Sequence, residues 1–444
     1  MGSALVTDLY ELNMATSYLR RGMVGPATFS LFVRRLPPAR GFLVAAGLES
    51  CLAHLESFAF EGEDLAWLRA SGFGERDIAA FAALRFTGDV LAVPEGRVVL
   101  ADEPLLEVTA PLPEAQLVET YLLNQITFQT AVATKAARCR LAAGPIDLVD
   151  FALRRTHGVE AGMAVARASA IAGFVGTSNV EAARRFGLRA VGTMAHSYIE
   201  AFPDERQAFQ AFAEDFPGRM TFLVDTYDTL HGVASAIAVI QTLGPNGPVA
   251  IRLDSGDLGE LARRSRRLLD DAGLHRVRIF ASGGLDEYDL ERFVDDGAPI
   301  DAAGIGTRLG VSADAPSLDS AYKLVSVGDR PVSKLSTGKA TLPGPKQVWR
   351  GRTIEHDVLA RREEAGPPGT APLLVPVMRH GRRVERPGTV DEARDRLAAD
   401  LAELPDEARS IRAPRAPLAR VSPALDRLTR TVRHEALEHR SVVP

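Results

Sequence analysis

The sequence predicts an α/β protein organised around a parallel barrel. The first observation is a series of short, continuous apolar runs beginning near Pro145: Ile146–Phe151, Ala170–Val175, Leu188–Val191, Met220–Val224, Val249–Leu253, Val277–Ala281 and Ile300–Ala303. Continuous runs, as opposed to alternating ones, mark parallel strands buried on both faces. The second is their spacing. Each run gives way to a polar cluster and a helical pattern, and most runs lie about 20 to 30 residues apart, one strand–helix unit per run. Six or seven such units in succession favour an irregular TIM-like barrel. An open doubly wound sheet is the competing arrangement, and periodicity alone does not separate the two.

The flanking regions read differently. Leu5 to Arg21 has helical period, with Thr7 and Asp8 as cap candidates, and Ala27 to Arg34 alternates like a strand. Phe42 to Ala59 is helical by period, and Phe86 to Val108 holds short β-rich runs broken by Gly88, Pro94, Gly96 and Pro104. Val118 to Leu141 predicts a long helix leading into the barrel. Past residue 340 the chain becomes rich in proline and glycine, then helical over Leu397–Leu404 and Ala424–Leu437. The expected division is therefore residues 1–125, a barrel over 126–340, and a C-terminal segment 341–444 that returns to the N-terminal part.

Composition narrows the function classes. A chain of 444 residues is too long for one ordinary core. Its formal charge of -5, with both signs interspersed and no basic stripe, argues against a nucleic-acid partner. The Arg-rich stretch from Arg379 to Arg440 also carries Asp and Glu and reads as a solvated surface. Cys51 and Cys139 are the sole cysteines, too few for a disulfide framework or a cysteine-based zinc site. Buried, reduced thiols suit the cytosol, so a cytoplasmic location is expected. Met1 to Tyr10 shows no signal-peptide pattern, and no apolar stretch reaches the length of a membrane span.

The chemistry is expected just after each apolar run, because a parallel barrel places its active site at the C-terminal strand ends. Those positions are polar throughout. They carry Arg154-Arg155-Thr156-His157, Gly176–Asn179, Gly192–Ser197, Asp225–Asp228, Asp254–Asp257, Ser282-Gly283-Gly284 and Gly304–Thr307. The glycine turns on the last two strands, with Ser282 and Thr307, suit a phosphate cradle, since free backbone N–H groups can approach an anion closely there. Asp254 and Asp257 suit sugar hydroxyls or Mg²⁺, with Asp257 the candidate metal ligand; an ordinary helix cap at Asp254 or Ser255 is the plain alternative. Arg252, on a buried strand, needs a partner: an anionic ligand, or Asp225 or Asp228. His196 is a candidate nucleophile or base, with Asp225 on the next strand placed to orient its second nitrogen.

Taken together these motifs resemble the nicotinate phosphoribosyltransferase family. The resemblance covers roughly residues 5 to 350 and rests on their joint order: Thr7-Asp8-Leu9-Tyr10, Asp150–Arg155, Gly176–Asn179, Gly192–Ser197, Val224–Thr229, Arg252–Leu258, Ala281–Glu287, Gly304–Thr307, Tyr322–Val325 and Lys334-Leu335-Ser336. It implies an irregular α/β barrel beside an α/β sandwich built from both chain ends. It implies a homodimer with shared active sites, and transfer of a phosphoribosyl group from phosphoribosyl pyrophosphate to nicotinate, coupled to ATP hydrolysis and assisted by Mg²⁺. In this reading His196 becomes a phosphohistidine and Asp225 orients it. Tyr10, Phe151, Arg154, Thr193 and Arg252 contact nicotinate, with Tyr10 supplied by the second subunit. Asp254, Ser282, Gly283, Gly284, Gly304, Gly306 and Thr307 hold the phosphoribosyl group.

A nicotinamide-specific relative is the near rival. In that type the residue before the histidine is often acidic, whereas here it is Ala195. An inactive barrel serving as a binding subunit is the rival of another class, and the intact His196, Asp225, Arg252 and Asp254 speak against it. An aldolase or isomerase barrel would place lysine or glutamate at a strand end, and neither stands at those named.

Overall fold

The computed structural model describes residues 4–244, 247–336 and 340–441. The chain divides into two compact units. One comprises residues up to Ala131 together with those from Ser317 onward; the other is Val132–Pro316.

The first unit opens with α1 (Leu9–Arg20), where Asp8 takes the N-cap position without a side-chain capping bond. Strand β1 (Pro26–Val33) follows, buried along seven of its eight residues. Where helical period ran over Phe42–Ala59, only α2 (Leu48–Glu56) is helical. Gly47, at φ +96°, sets its start, and a Cβ there would lie 2.6 Å from the Gln125 carbonyl. Strands β2 (Asp89–Ala92) and β3 (Pro104–Pro111) fill the expected β-rich stretch. Helix α3 (Glu119–Ala142) runs through the boundary between the units.

The second unit continues as β4 (Asp147–Asp150), α4 (Val159–Ile171), β5 (Gly176–Thr177), α5 (Val180–Phe186), α6 (His196–Glu200), α7 (Glu205–Asp215), β6 (Met220–Leu223), α8 (Thr229–Leu243), β7 (Val249–Leu253), α9 (Leu258–Asp271), β8 (Arg278–Ala281), α10 (Glu287–Asp295), β9 (Ala302–Ile305) and α11 (Thr307–Gly310). Its strands form one parallel sheet in the order β5-β4-β9-β8-β7-β6. The result is a parallel half-barrel, with a lone parallel bridge from Thr177 to Ala190 extending its β5 edge. Three expected runs change. Ala170–Val175 is the end of α4 and the turn after it, because an alanine-rich stretch favours helix over strand. Leu188–Val191 contributes only the bridge at Ala190. The last strand lies at 302–305, two residues later than the run suggested.

Beyond Pro316 the chain re-enters the first unit with β10 (Ser320–Val327), β11 (Arg330–Pro331), β12 (Lys346–Arg350), β13 (Val358–Arg361), β14 (Ala371–Pro372), β15 (Val375–Arg379), β16 (Arg382–Arg383), α12 (Val390–Glu403), β17 (Arg420–Val421) and α13 (Pro423–Ser441). A seven-stranded sheet runs β11-β10-β1-β3-β2-β15-β16, and a four-stranded one β14-β12-β13-β17. Strand β1 pairs antiparallel with both β10 and β3, Ala27 facing Val327 and Ala110. Residues 317–336 therefore belong with the first unit and not with the barrel to which the sequence reading assigned them, since β10 has its ladder partner in β1.

Two buried charge clusters stand out. In the second unit Lys135 and Arg138 of α3, both buried, meet Glu287 at the start of α10, and Lys135 also reaches Asp314 at 3.1 Å. Removing one partner from such a cluster leaves an uncompensated buried charge, which costs about 3–5 kcal/mol. Lys135→Met is expected to lower the midpoint of thermal or urea unfolding markedly, whereas changes at the exposed Arg184–Glu181 pair should leave it in place.

In the first unit Glu11 is fully buried and accepts hydrogen bonds from the Thr7 and Thr120 hydroxyls. Burial pushes its carboxyl up to about 7; the Thr7 hydrogen bond opposes this and nearby Glu119 adds to it. A carboxyl raised in the folded state contributes stability that is complete below its ordinary value of 4.5 and is lost as pH climbs through about 7. Glu11→Gln should consequently match the wild type in melting temperature at pH 4.5 and exceed it above pH 7.

Candidate functional site

The tips of the parallel strands meet around Arg252, near the end of β7. Its guanidinium is almost enclosed, with 12% of the side chain exposed. Nε donates to the Ser282 hydroxyl after β8 at 2.8 Å, and one terminal nitrogen donates to Asp254 at 2.8 Å. The other makes two long contacts of 3.3 Å, to the Thr193 hydroxyl and the Met194 carbonyl. The group also lies over the Phe151 ring, 5.5 Å from its centre, and Phe280 stacks on that ring in turn. Charge, fork geometry and a flat face are used together, which a lysine could not do.

Asp254 is the second hub. The Ser282 hydroxyl donates to Oδ1, the atom that also receives Arg252. Burial alone would raise this carboxyl. The Ser282 hydrogen bond and the Arg252 charge outweigh it and hold Asp254 below the usual carboxylate range. Its backbone N–H donates to Asp225 Oδ2 at 3.0 Å, and the Ser255 hydroxyl donates to the same oxygen. Asp225 Oδ1 is buried and lacks a hydrogen-bond partner among the described residues.

His196 opens α6, partly exposed. Its Nδ1 lies 3.1 Å from the Thr226 hydroxyl, and its Nε2 lies 3.9 Å from Asp254 Oδ2. This corrects the sequence reading on two points. Asp225, expected to orient the imidazole, holds the Asp254 backbone and Ser255 instead, and the neighbouring Thr226 takes the ring nitrogen. Arg252 pairs with Asp254, not with Asp225 or Asp228, because Asp254 is two residues along the same chain. Asp228 caps α8 through the His231 N–H.

Two cavities share this centre. The smaller, 190 Å³, is lined by Arg154, Arg155, Ser282 and the glycine turns at 283–284 and 304–307. The larger, 430 Å³, is lined by Ser178, Gly192–His196 and Leu223. Phe151, Arg154, Arg252 and Asp254 border both. Phe151, Arg154, Thr193, His196, Arg252, Asp254, Ser282, Gly283, Gly284, Gly304, Gly306 and Thr307 are thus brought together as expected from sequence. Asp257 is not: its Oδ1 caps α9 through the Glu260 N–H, and the residue lines an adjoining polar cavity with Gly283 and Gly284. Tyr10 lies in the first unit, half-exposed on α1.

Sequence reasoning passed over Thr226, Arg155 and Phe280. Thr226 stood inside a strand-end cluster already singled out, but its carboxylate neighbour was the more obvious partner for an imidazole. The glycines also prove more specific than a phosphate cradle requires. Gly283 has φ +107°, and a Cβ would sit 2.0 Å from the Asp254 carbonyl; at Gly304 it would collide with the Phe151 ring at 2.5 Å. Gly284, by contrast, faces open space. Among the described residues no cluster of three or more His, Cys, Asp or Glu has the arrangement of a metal site.

A model of the nicotinate phosphoribosyltransferase N-terminal domain matches residues 5–127, and one of the nicotinate phosphoribosyltransferase family matches residues 146–273. The chain belongs to this family. The nicotinate phosphoribosyltransferase pncB2 of Mycobacterium tuberculosis is 48% identical over 416 residues, 92% of this chain and 89% of that protein. The nicotinate phosphoribosyltransferase of Bacillus subtilis is 43% identical over 357 residues, 78% of this chain and 73% of that one. Among solved structures, human nicotinic acid phosphoribosyltransferase superposes with a TM-score of 0.85 at 29% identity, covering 96% of this chain and 99% of that chain. The strand-tip cluster around Arg252 is the candidate active site of this member.

Gly283→Ala combines strain at positive φ with a clash against the Asp254 backbone, so it should displace Asp254 and abolish most activity. Gly284→Ala meets strain without the clash and should be the milder variant in the same turnover assay.

Proposed function

We propose that this chain joins nicotinate to the phosphoribosyl group of phosphoribosyl pyrophosphate, releasing nicotinate mononucleotide and pyrophosphate for NAD biosynthesis. The observation that carries the reading is Arg252 at the junction of the two cavities, with its guanidinium over Phe151 and one terminal nitrogen held only by 3.3 Å contacts to Thr193 and Met194. A flat ring bearing a carboxylate fits that place, the ring against Phe151 and the carboxylate on Arg252 and Thr193. The glycine turns and Thr307 suit the sugar phosphate, Arg155 suits the pyrophosphate, and Arg154, which borders both cavities, suits the nicotinate. Displacement at the anomeric carbon builds positive charge on the sugar. Asp254, held ionised by Arg252 and Ser282, stands beside the place where that charge develops.

ATP coupling is assigned to His196. The Nε2 lone pair attacks the γ-phosphorus, the bond to the β-phosphate oxygen breaks, and ADP leaves with the electron pair. Nδ1 keeps its proton, so the product is a phosphoimidazolium. A phosphoryl group on His196 adds charge and acceptor oxygens at the wall of the larger cavity, where it can reorganise the substrate pocket. Magnesium suits the site as an ion carried chiefly by substrate phosphates, which Mg²⁺ prefers. Asp257, exposed beside the glycine turns and using one oxygen as a helix cap, fits as a single supporting carboxylate.

The half-barrel is read as part of an irregular TIM-like barrel and the seven- and four-stranded sheets as the sandwich. Exposed Val6, Leu9 and Tyr10 on the first unit suit a homodimer in which Tyr10 of a second copy covers the pyridine ring. The buried thiols of Cys51 and Cys139 suit the cytosol. Ala195 before His196 favours nicotinate over nicotinamide, because no carboxylate at that position repels the substrate carboxylate. Assaying both pyridines decides: turnover with nicotinamide at the rate for nicotinate would overturn the assignment. His196→Ala should retain some ATP-independent pyrophosphate release while losing all stimulation by ATP. Stimulation persisting in that variant would remove His196 from the coupling.

A further inference from the structure

We propose that Thr226 is the positioning residue of His196: its hydroxyl accepts the Nδ1 proton and thereby turns the Nε2 lone pair toward the larger cavity. The inference deepens, and rests on, the phosphohistidine reading above. The geometry starts from the ring. Nδ1 has the Thr226 hydroxyl at 3.1 Å, a hydrogen-bond distance. Among the described residues Nε2 has only Asp254 Oδ2 at 3.9 Å, beyond hydrogen-bond reach, and His196 lines the larger cavity. One nitrogen is therefore held and the other is available.

The hydroxyl is itself fixed from both sides. Asp225, one residue before it, is tied through Oδ2 to the Asp254 N–H and the Ser255 hydroxyl. Asp228, two residues after it, caps α8 through the His231 N–H. The Asp225–Asp228 tip ahead of α8 is thus anchored at each end, and Thr226 presents its hydroxyl at a set position. The choice of group has a chemical consequence. A carboxylate on Nδ1 would stabilise the phosphoimidazolium by charge, making the phosphoryl group harder to release. A neutral hydroxyl orients the ring without that stabilisation, which suits an intermediate that must turn over in each cycle.

The test uses the full-length enzyme with γ-labelled ATP, comparing wild type, Thr226→Val, Thr226→Ser and His196→Ala. Acid-labile, base-stable labelling is expected in the wild type and absent from His196→Ala. Thr226→Val, nearly isosteric, should label at least roughly tenfold more slowly, the loss expected for one hydrogen bond to a reacting group, while ATP-independent turnover remains measurable as the sign of a folded pocket. Thr226→Ser, which restores the hydroxyl, should recover most of the labelling rate. Nitrogen-15 spectra of labelled histidine in the wild type provide a readout that needs no Thr226 variant: His196 is expected with its proton on Nδ1. Absence of any phosphoenzyme in the wild type overturns the phosphohistidine reading and this inference with it. Labelling in Thr226→Val at the wild-type rate, or a wild-type His196 protonated on Nε2, overturns the Thr226 assignment alone.

Discussion

The site depends on one nearly enclosed positive charge. Arg252 is bonded to groups from three strand ends and lies over a ring from a fourth. Strand tips in a parallel sheet have no ladder beyond their last residues, so something else must hold their loops together. Here a planar cation does so, with the Ser282 hydroxyl, the Asp254 carboxylate and the Phe151 face as its counterparts. Such an arrangement is stable only when each partner is present, because a buried guanidinium left unpaired is costly. The same partners line the smaller cavity, so its wall is electrostatically biased before any ligand arrives.

A second layer stands behind it. Asp225 does not line either cavity; it holds the backbone under Asp254. Further out, Arg308 pairs with Asp286, linking the turn after β9 to the turn after β8. Glu287, next to Asp286, is locked to Lys135 and Arg138 of the long helix. The two glycine turns are consequently braced by ion pairs outside the two central cavities, although Arg308 also lines the adjoining one. Precision at the substrate is supplied by charges well behind it.

Most of this was legible because parallel strands leave a strong trace. Five of the seven apolar runs are strands or nearly so, and the polar residues that follow them converge as their positions suggested. The run at 170–175 misled because alanine-rich sequence near a helix end is as apolar as a buried strand. Partner choice was harder to read. Asp225 and Thr226 are adjacent and both can meet an imidazole; which one does depends on the orientation of a four-residue tip, and no sequence pattern encodes that. The glycines at 283 and 304 suggested a phosphate cradle, and their tightest constraints turned out to come from the Asp254 carbonyl and the Phe151 ring. The place of β10 was invisible for a related reason. An antiparallel ladder between residues nearly three hundred positions apart leaves no local signal.

That ladder has a consequence for how the protein is made. Strand β1 is one of the first elements to leave the ribosome, yet one of its two neighbours, β10, is encoded beyond the half-barrel. At elongation speeds of about 5–20 residues per second, the earlier strand waits roughly 15–60 seconds for its partner. Throughout that interval an apolar edge is open on one side, able to recruit any other extended chain nearby. The nascent polypeptide is therefore most exposed to misassembly after the half-barrel has emerged and before the sheet has closed, a window in which chaperone supply should govern yield.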